Sequence, residues 1–182
     1  MNEAKSDSSG LQIGKCVGYA GVMKYAEMDT PLGPLTLASS NIGLSSVLFG
    51  KRVPADGVID IPANGTYIRQ LEEYFAGKRN EFNVPLDFNG TPFQTAVWQE
   101  LLKIPYGQTR SYGEIAKALG KPGAARAVGM ANHDNPIAVV IPCHRVVGSD
   151  GSLTGYAGGI HLKQQLLAIE CSGHAVAKTL FT

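Results

Sequence analysis

Two tetrapeptides limit what this chain can become: Thr91-Pro92-Phe93-Gln94 and Ser111-Tyr112-Gly113-Glu114. Each puts a hydroxyl residue where a helix opens and a Gln or Glu three positions later. That pairing satisfies the first orphan N–H groups of a helix reciprocally. Pro92 reinforces the first start, since its missing N–H would be unpaired there in any case. Gly107 closes the exit of the first helix and Gly120 ends the second. Phe93, Val97 and Leu101 line one face of the first; Ile115, Ala116 and Leu119 run along the second. Lys121-Pro122-Gly123 is a tight connection, residues 124–132 read as a further short helix, and Asn135-Pro136 breaks it. Two short helices joined by a Gly-containing turn suggest a helix-turn-helix, with an ordinary core hairpin as the competing reading.

The first half reads as mixed strand and helix. Leu35 and Leu37, a turn at Ser39-Ser40-Asn41, then Leu44, Val47 and Phe49 spell a hairpin. Tyr67, Leu71, Tyr74 and Phe75 recur at helical spacing before Gly77. A boundary is expected at Asn89-Gly90. The predicted organisation is a loose tail over 1–20, an N-terminal domain over 21–89, a C-terminal domain over 90–175 and a tail over 176–182. In the C-terminal domain the apolar run Ile137-Ala-Val-Val-Ile141 is expected to be a buried strand, and residues 160–170 a last helix. That run is far short of the roughly 20 residues that span a bilayer. The polar start MNEAKSDSSG lacks the apolar core of a secretory signal. A hydrophobic share of 44% excludes wholesale disorder.

Charge is uneven although the net value is only +1. Residues 103–145 carry 6 basic and 2 acidic side chains, a local +4, as a phosphate-facing surface or merely a solvated face would. Three cysteines, Cys16, Cys143 and Cys171, make no disulfide framework, so a reducing compartment is expected. Only Cys143 has reactive neighbours. In Pro142-Cys143-His144-Arg145 the flanking imidazole and guanidinium are expected to lower the thiol pKa, and the imidazole can act as general base. A third group must orient that imidazole; Glu170 and Asp134 are the candidates.

The stretch I-P-C-H-R-V-V at 141–147 resembles the active-site signature of the O6-alkylguanine-DNA alkyltransferases, or methylated-DNA–protein-cysteine methyltransferases. The likeness continues in G-T-P-F-Q at 90–94, I-P-Y-G-Q at 104–108, S-Y-G-E-I-A at 111–116 and G-A-A-R-A-V-G at 123–129. N-P-I at 135–137, G-Y-A-G-G at 155–159 and L-L-A-I-E at 166–170 complete it, while the first 80 or so residues match only loosely, chiefly at T-P-L-G-P-L, 30–35. So many motifs in one order are highly specific.

The resemblance implies an α/β N-terminal domain, a small antiparallel sheet plus helix, then a mostly α C-terminal domain with a helix-turn-helix of winged type. It implies repair of double-stranded DNA by irreversible, stoichiometric transfer of an alkyl group from guanine O6, and from thymine O4, to Cys143 after base flipping. His144 would act through a water and be held by Glu170; Asn135 would brace the turn before Cys143; Tyr112 would donate to the flipped guanine and crowd its phosphate. Arg126 would fill the vacated stack, small Ala124 and Ala125 would let the helix approach the groove, and Val146, Tyr156 and Ala157 would recognise the base. No cofactor and no metal are expected: the first half has one cysteine and no histidine, and Cys171 with His174 would be only two ligands. The expected partner is DNA carrying alkylated guanine, with no membrane and a monomeric chain; the location would be cytoplasmic in a prokaryote or nuclear in a eukaryote. Two other readings are a cysteine hydrolase using Cys143, His144 and Glu170, and a DNA-damage binder without chemistry.

Overall fold

The computed structural model describes residues 22–172; the expected tails, Cys16 and His174 lie outside the described residues. The first half opens with three antiparallel strands, β1 (Lys24–Thr30), β2 (Gly33–Ser39) and β3 (Leu44–Phe49). The predicted hairpin is β2–β3. A two-residue β4 (Val58–Ile59) joins parallel to β1, so the sheet has the order β3-β2-β1-β4 and is mixed rather than wholly antiparallel. The reason is the connection over residues 50–57, which returns the chain from β3 to the far side of β1. Helix α1 (Ile61–Phe75) then covers the sheet. Asp60 caps it by accepting from the Ala63 N–H at 3.0 Å, and Asn64 Nδ2 ties it to the Lys24 carbonyl at 3.2 Å. Its buried face carries Leu71, Tyr74 and Phe75.

Helix α2 (Pro92–Leu101) makes both arms of its capping box, as does α3 (Tyr112–Ala118). Gly90 leads into α2 because a Cβ there would stand 2.7 Å from the Trp98 ring. Trp98 in turn donates Nε1–H to the Ala131 carbonyl at 2.8 Å and so fixes α2 against α4 (Ala125–His133). Helices α3 and α4 form the helix-turn-helix, with Gly120 at φ +70° in the turn. Beside it β5 (Arg110–Ser111) pairs parallel with β6 (Val146–Val147), which gives the winged form. A 3-10 turn, Cys143–Arg145, precedes β6, and α5 (Ile160–Ser172) closes the domain.

The apolar run 137–141 is not a strand. Only Ile137 pairs, in a single bridge to Val47 of β3, and the chain then turns back so that the Ile141 N–H meets the Ile137 carbonyl at 2.9 Å. Asn135 overrides the β-branched composition. Its Oδ1 takes the Ile137 N–H at 3.0 Å and its Nδ2 caps the Ile141 carbonyl at 2.8 Å, so one side chain satisfies both ends of the run. Val139 sits at φ +71°, a conformation costing about 1–3 kcal/mol for such a residue. Burial of Ile137, Val139 and Ile141, each 0% exposed, contributes roughly 1.5–3 kcal/mol per side chain and outweighs it. The N-terminal sheet holds this turn from outside: the Val47 N–H donates to the Pro136 carbonyl at 2.9 Å, and the Ala138 N–H to the Val47 carbonyl at 3.0 Å.

Candidate active site

Cys143 opens the 3-10 turn at 5% exposure, immediately after the folded run. Asn135 Nδ2, already on the Ile141 carbonyl, also donates to Cys143 Sγ at 3.0 Å. One amide therefore fixes the end of α4, the turn and the sulfur together. His144, the next residue, is fully buried; its Nε2 lies 2.8 Å from Glu170 Oε1. Of the two candidate orienters it is Glu170 that meets the imidazole. Asp134 instead accepts from Gln94 Nε2 at 2.9 Å on the exposed side of α4.

Glu170 is met by four residues, His144, Arg145, Gly107 and Tyr74. Arg145 donates Nε to its Oε2 at 2.9 Å and Nη2 to its Oε1 at 2.9 Å, a charge-assisted fork. The Gly107 N–H reaches Oε2 at 3.0 Å, and the Tyr74 hydroxyl reaches Oε1 at 2.7 Å from the other domain. Gly107 does not end the helix as expected, since α2 stops at Leu101; it serves the carboxylate instead. Its φ of +73° aims the N–H inward, and a Cβ there would crowd the Glu170 carbonyl at 3.3 Å. Burial raises the carboxyl pKa, but the bonds and charges of His144 and Arg145 outweigh it and bring it to about 2. Glu170 is thus an anion at neutral pH. Burial pushes His144 below its ordinary value, against the pull of Glu170. With Arg145 already neutralising the carboxylate, the imidazole is neutral at neutral pH, so Nε2 carries the proton donated to Glu170. Nδ1 is then the basic nitrogen, and it has no hydrogen-bond partner among the described residues.

The expected depression of the Cys143 pKa is corrected here. Burial raises the thiol, and the Asn135 hydrogen bond and the Lys163 charge only partly oppose it. Sequence adjacency misled because Arg145 turns away from the sulfur. Its guanidinium is spent on Glu170 and on the Ile104 carbonyl. The same burial corrects the charge count. Of the six basic residues over 103–145, Arg145 faces inward, and Lys103 and Arg110 pair with Glu100 at 2.7 and 2.9 Å. Lys117, Lys121 and Arg126 remain exposed around the helix-turn-helix.

On that face Arg126 is exposed, and Ala124 and Ala125 are half-buried at the start of α4. Across from it, Tyr112 donates its hydroxyl to the Thr154 carbonyl at 2.9 Å and lies beneath Lys163, whose Nζ is 5.7 Å from the ring centroid. Burial raises the Tyr112 pKa, so the hydroxyl stays a donor. Val146, three residues after Cys143, is buried, Ala157 is exposed, and the buried Tyr156 hydroxyl has no partner among the described residues. The expected base-binding residues therefore stand near the two ends of the segment from β6 to residue 157, and Lys163 Nζ ties Val146 to Thr154 through their carbonyls.

Sequence reasoning missed Arg145 as an ion-pair partner, took Tyr74 and Gly107 only as helix positions, and missed Lys163. Lys163 did carry a signal: it lies two helical turns before Glu170, on the buried face that also holds Leu166.

A buried thiol, an imidazole fixed by an anion and a winged helix-turn-helix in one domain are the parts that a DNA-directed transferase with a cysteine acceptor requires. The family comparisons specify it further. The family model for the 6-O-methylguanine DNA methyltransferase DNA-binding domain matches residues 92–172, and that for the ribonuclease-like domain matches residues 23–88. The methylated-DNA–protein-cysteine methyltransferase of Mycobacterium bovis is 49% identical over 164 residues, 88% of this chain and 99% of its own. That of Methanosarcina barkeri is 50% identical over 153 residues, 81% and 97%. The crystal structure of Mycobacterium tuberculosis OGT in complex with DNA superposes with a TM-score of 0.81 at 50% identity, covering 87% of this chain and 99% of that one. The chain belongs to the methylated-DNA–protein-cysteine methyltransferase family, which repairs DNA by direct reversal.

Proposed function

We propose that this protein, acting as a monomer, moves an alkyl group from O6 of guanine in double-stranded DNA onto Sγ of its own Cys143, once per chain. The observation that carries the reading is the buried thiol held by Asn135 beside an imidazole whose Nε2 is anchored on ionised Glu170. The target oxygen lies inside a duplex, so the base must leave the stack at a cost of a few kcal/mol. Arg126 on the exposed start of α4 is the planar group that replaces it. The thiol proton passes through a water to His144 Nδ1, and Glu170 stabilises the imidazolium that results. Sulfur then bonds the alkyl carbon as the carbon–O6 bond breaks. The guanine leaves as an anion, offset by the Tyr112 hydroxyl where the charge develops.

The test is to incubate the protein with duplex DNA carrying labelled O6-methylguanine and map the label. One label per chain, on Cys143, is expected. Several products per chain would indicate a hydrolase, and label on Cys171 would move the acceptor. Arg126 gives a second expected result. Arg126→Ala should slow repair in duplex DNA by about tenfold or more, because extrusion loses its stacking partner, while reaction with free O6-benzylguanine, which needs no flipping, changes less than about twofold. Equal losses on both substrates would remove Arg126 from the extrusion step.

A further inference from the structure

Besides the backbone bonds of β3 to the 137–141 turn, the N-terminal domain sends one side chain to the carboxylate that serves His144. Tyr74, on α1, is fully buried and lies 96 positions before the carboxylate it meets. Its ring is fixed by edge contacts with Phe75 and Tyr106, centroids 5.3 and 6.1 Å away, and by Phe82 at 5.4 Å. So held, the hydroxyl donates to Glu170 Oε1 at 2.7 Å, the same oxygen that meets His144 Nε2 at 2.8 Å. We infer that Tyr74 is a positioning residue for alkyl transfer: from the N-terminal domain it shares the carboxylate oxygen that orients the His144 imidazole and so sets how strongly that imidazole can take the thiol proton. The inference rests on the proposed relay through His144.

The ring packing alone would make Tyr74 a core residue; the hydroxyl makes it more. A donor on Oε1 draws negative charge away from the His144 contact and restrains the oxygen that the imidazole meets. The other groups around this carboxylate are fixed: Arg145 and the Gly107 N–H bond it directly, Tyr106 donates to the neighbouring Ile169 carbonyl at 3.1 Å, and Lys163 acts on His144 through its charge. None of them comes from the N-terminal domain.

The experiment measures the rate of alkyl transfer to Cys143 from free O6-benzylguanine between pH 5 and 8, with the label mapped as above. The intact protein should lose rate on the acid side as His144 becomes protonated. Tyr74→Phe keeps the ring and removes the donor. Oε1 is then left more negative, His144 more basic, and the acid limb moves up by about half a pH unit, an approximately threefold further loss of rate on that limb. Placing 3-fluorotyrosine at position 74 strengthens the donor and should move the limb down. Opposite shifts with label still on Cys143 support the inference. A limb that stays in place in both variants, with rate and melting midpoint falling equally at all pH values, reduces Tyr74 to packing and overturns it. An intact protein labelled on Cys143 with no acid limb overturns the His144 relay itself, and the inference with it.

Discussion

Glu170→Gln should lower the melting midpoint by roughly 6–20 °C and slow alkyl transfer about 10²–10⁴-fold. The stability loss follows from what is left behind. Arg145 is 6% exposed and its fork closes on Glu170, so the amide leaves a buried guanidinium without its counter-charge, at about 3–5 kcal/mol. Each kcal/mol is worth roughly 2–4 °C in a chain of this size. The rate loss follows because an amide cannot stabilise the imidazolium as an anion does. The pH dependence has a definite sign. The carboxyl falls from an ordinary 4.5 to about 2 in the fold, so its contribution, about 3 kcal/mol, is fully present above pH 4.5 and disappears as pH falls through about 2. Melting curves of the two proteins should therefore differ most near neutrality and converge towards pH 2. A neutral-pH difference below about 3 °C would show that the carboxylate does not hold this core together.

The alkylated protein should melt about 2–12 °C below the free protein, and a benzyl adduct should do more than a methyl. Cys143 is 5% exposed, and its sulfur is in hydrogen-bond contact with Asn135. Adding carbon to a site packed near interior density typically costs about 1–3 kcal/mol. It also crowds the one amide that holds the 137–141 turn closed, so the end of α4 loosens with it. Differential scanning calorimetry of free, methylated and benzylated protein in DNA-free buffer measures this. Identical midpoints would mean that the pocket has room to spare.

Much of this could be read from the residues because it is local. Both capping boxes, the glycine at position 120 and the short helices around the turn are set by contacts within four positions. The pairing of Cys143, His144 and Glu170 was legible through family likeness, since Glu170 comes from α5, 26 positions on. The strand β1 escaped notice because its buried positions include the small Ala26, which hides the alternation. The run 137–141 misled for the opposite reason: its β-branched composition is that of a strand, and a single asparagine side chain decides otherwise. Tyr74 looked like one more apolar position on a helix, because nothing near it in sequence reveals where its hydroxyl ends. Lys163 was hidden by expectation, for an ammonium is almost never wholly buried.

Strand β3 lies at the margin of its sheet, and bare margins recruit strands from other molecules. In the resting chain that margin is covered at two points, by Leu86 opposite Leu44 and by Ile137 opposite Val47. The second cover belongs to the turn that Asn135 holds, one side chain from the reactive sulfur. An adduct that pries the turn open therefore also uncovers the Val47 N–H and carbonyl. Self-association at this sheet margin is therefore an expected result of alkylation, read as a rise in light scattering of the alkylated protein over the free one.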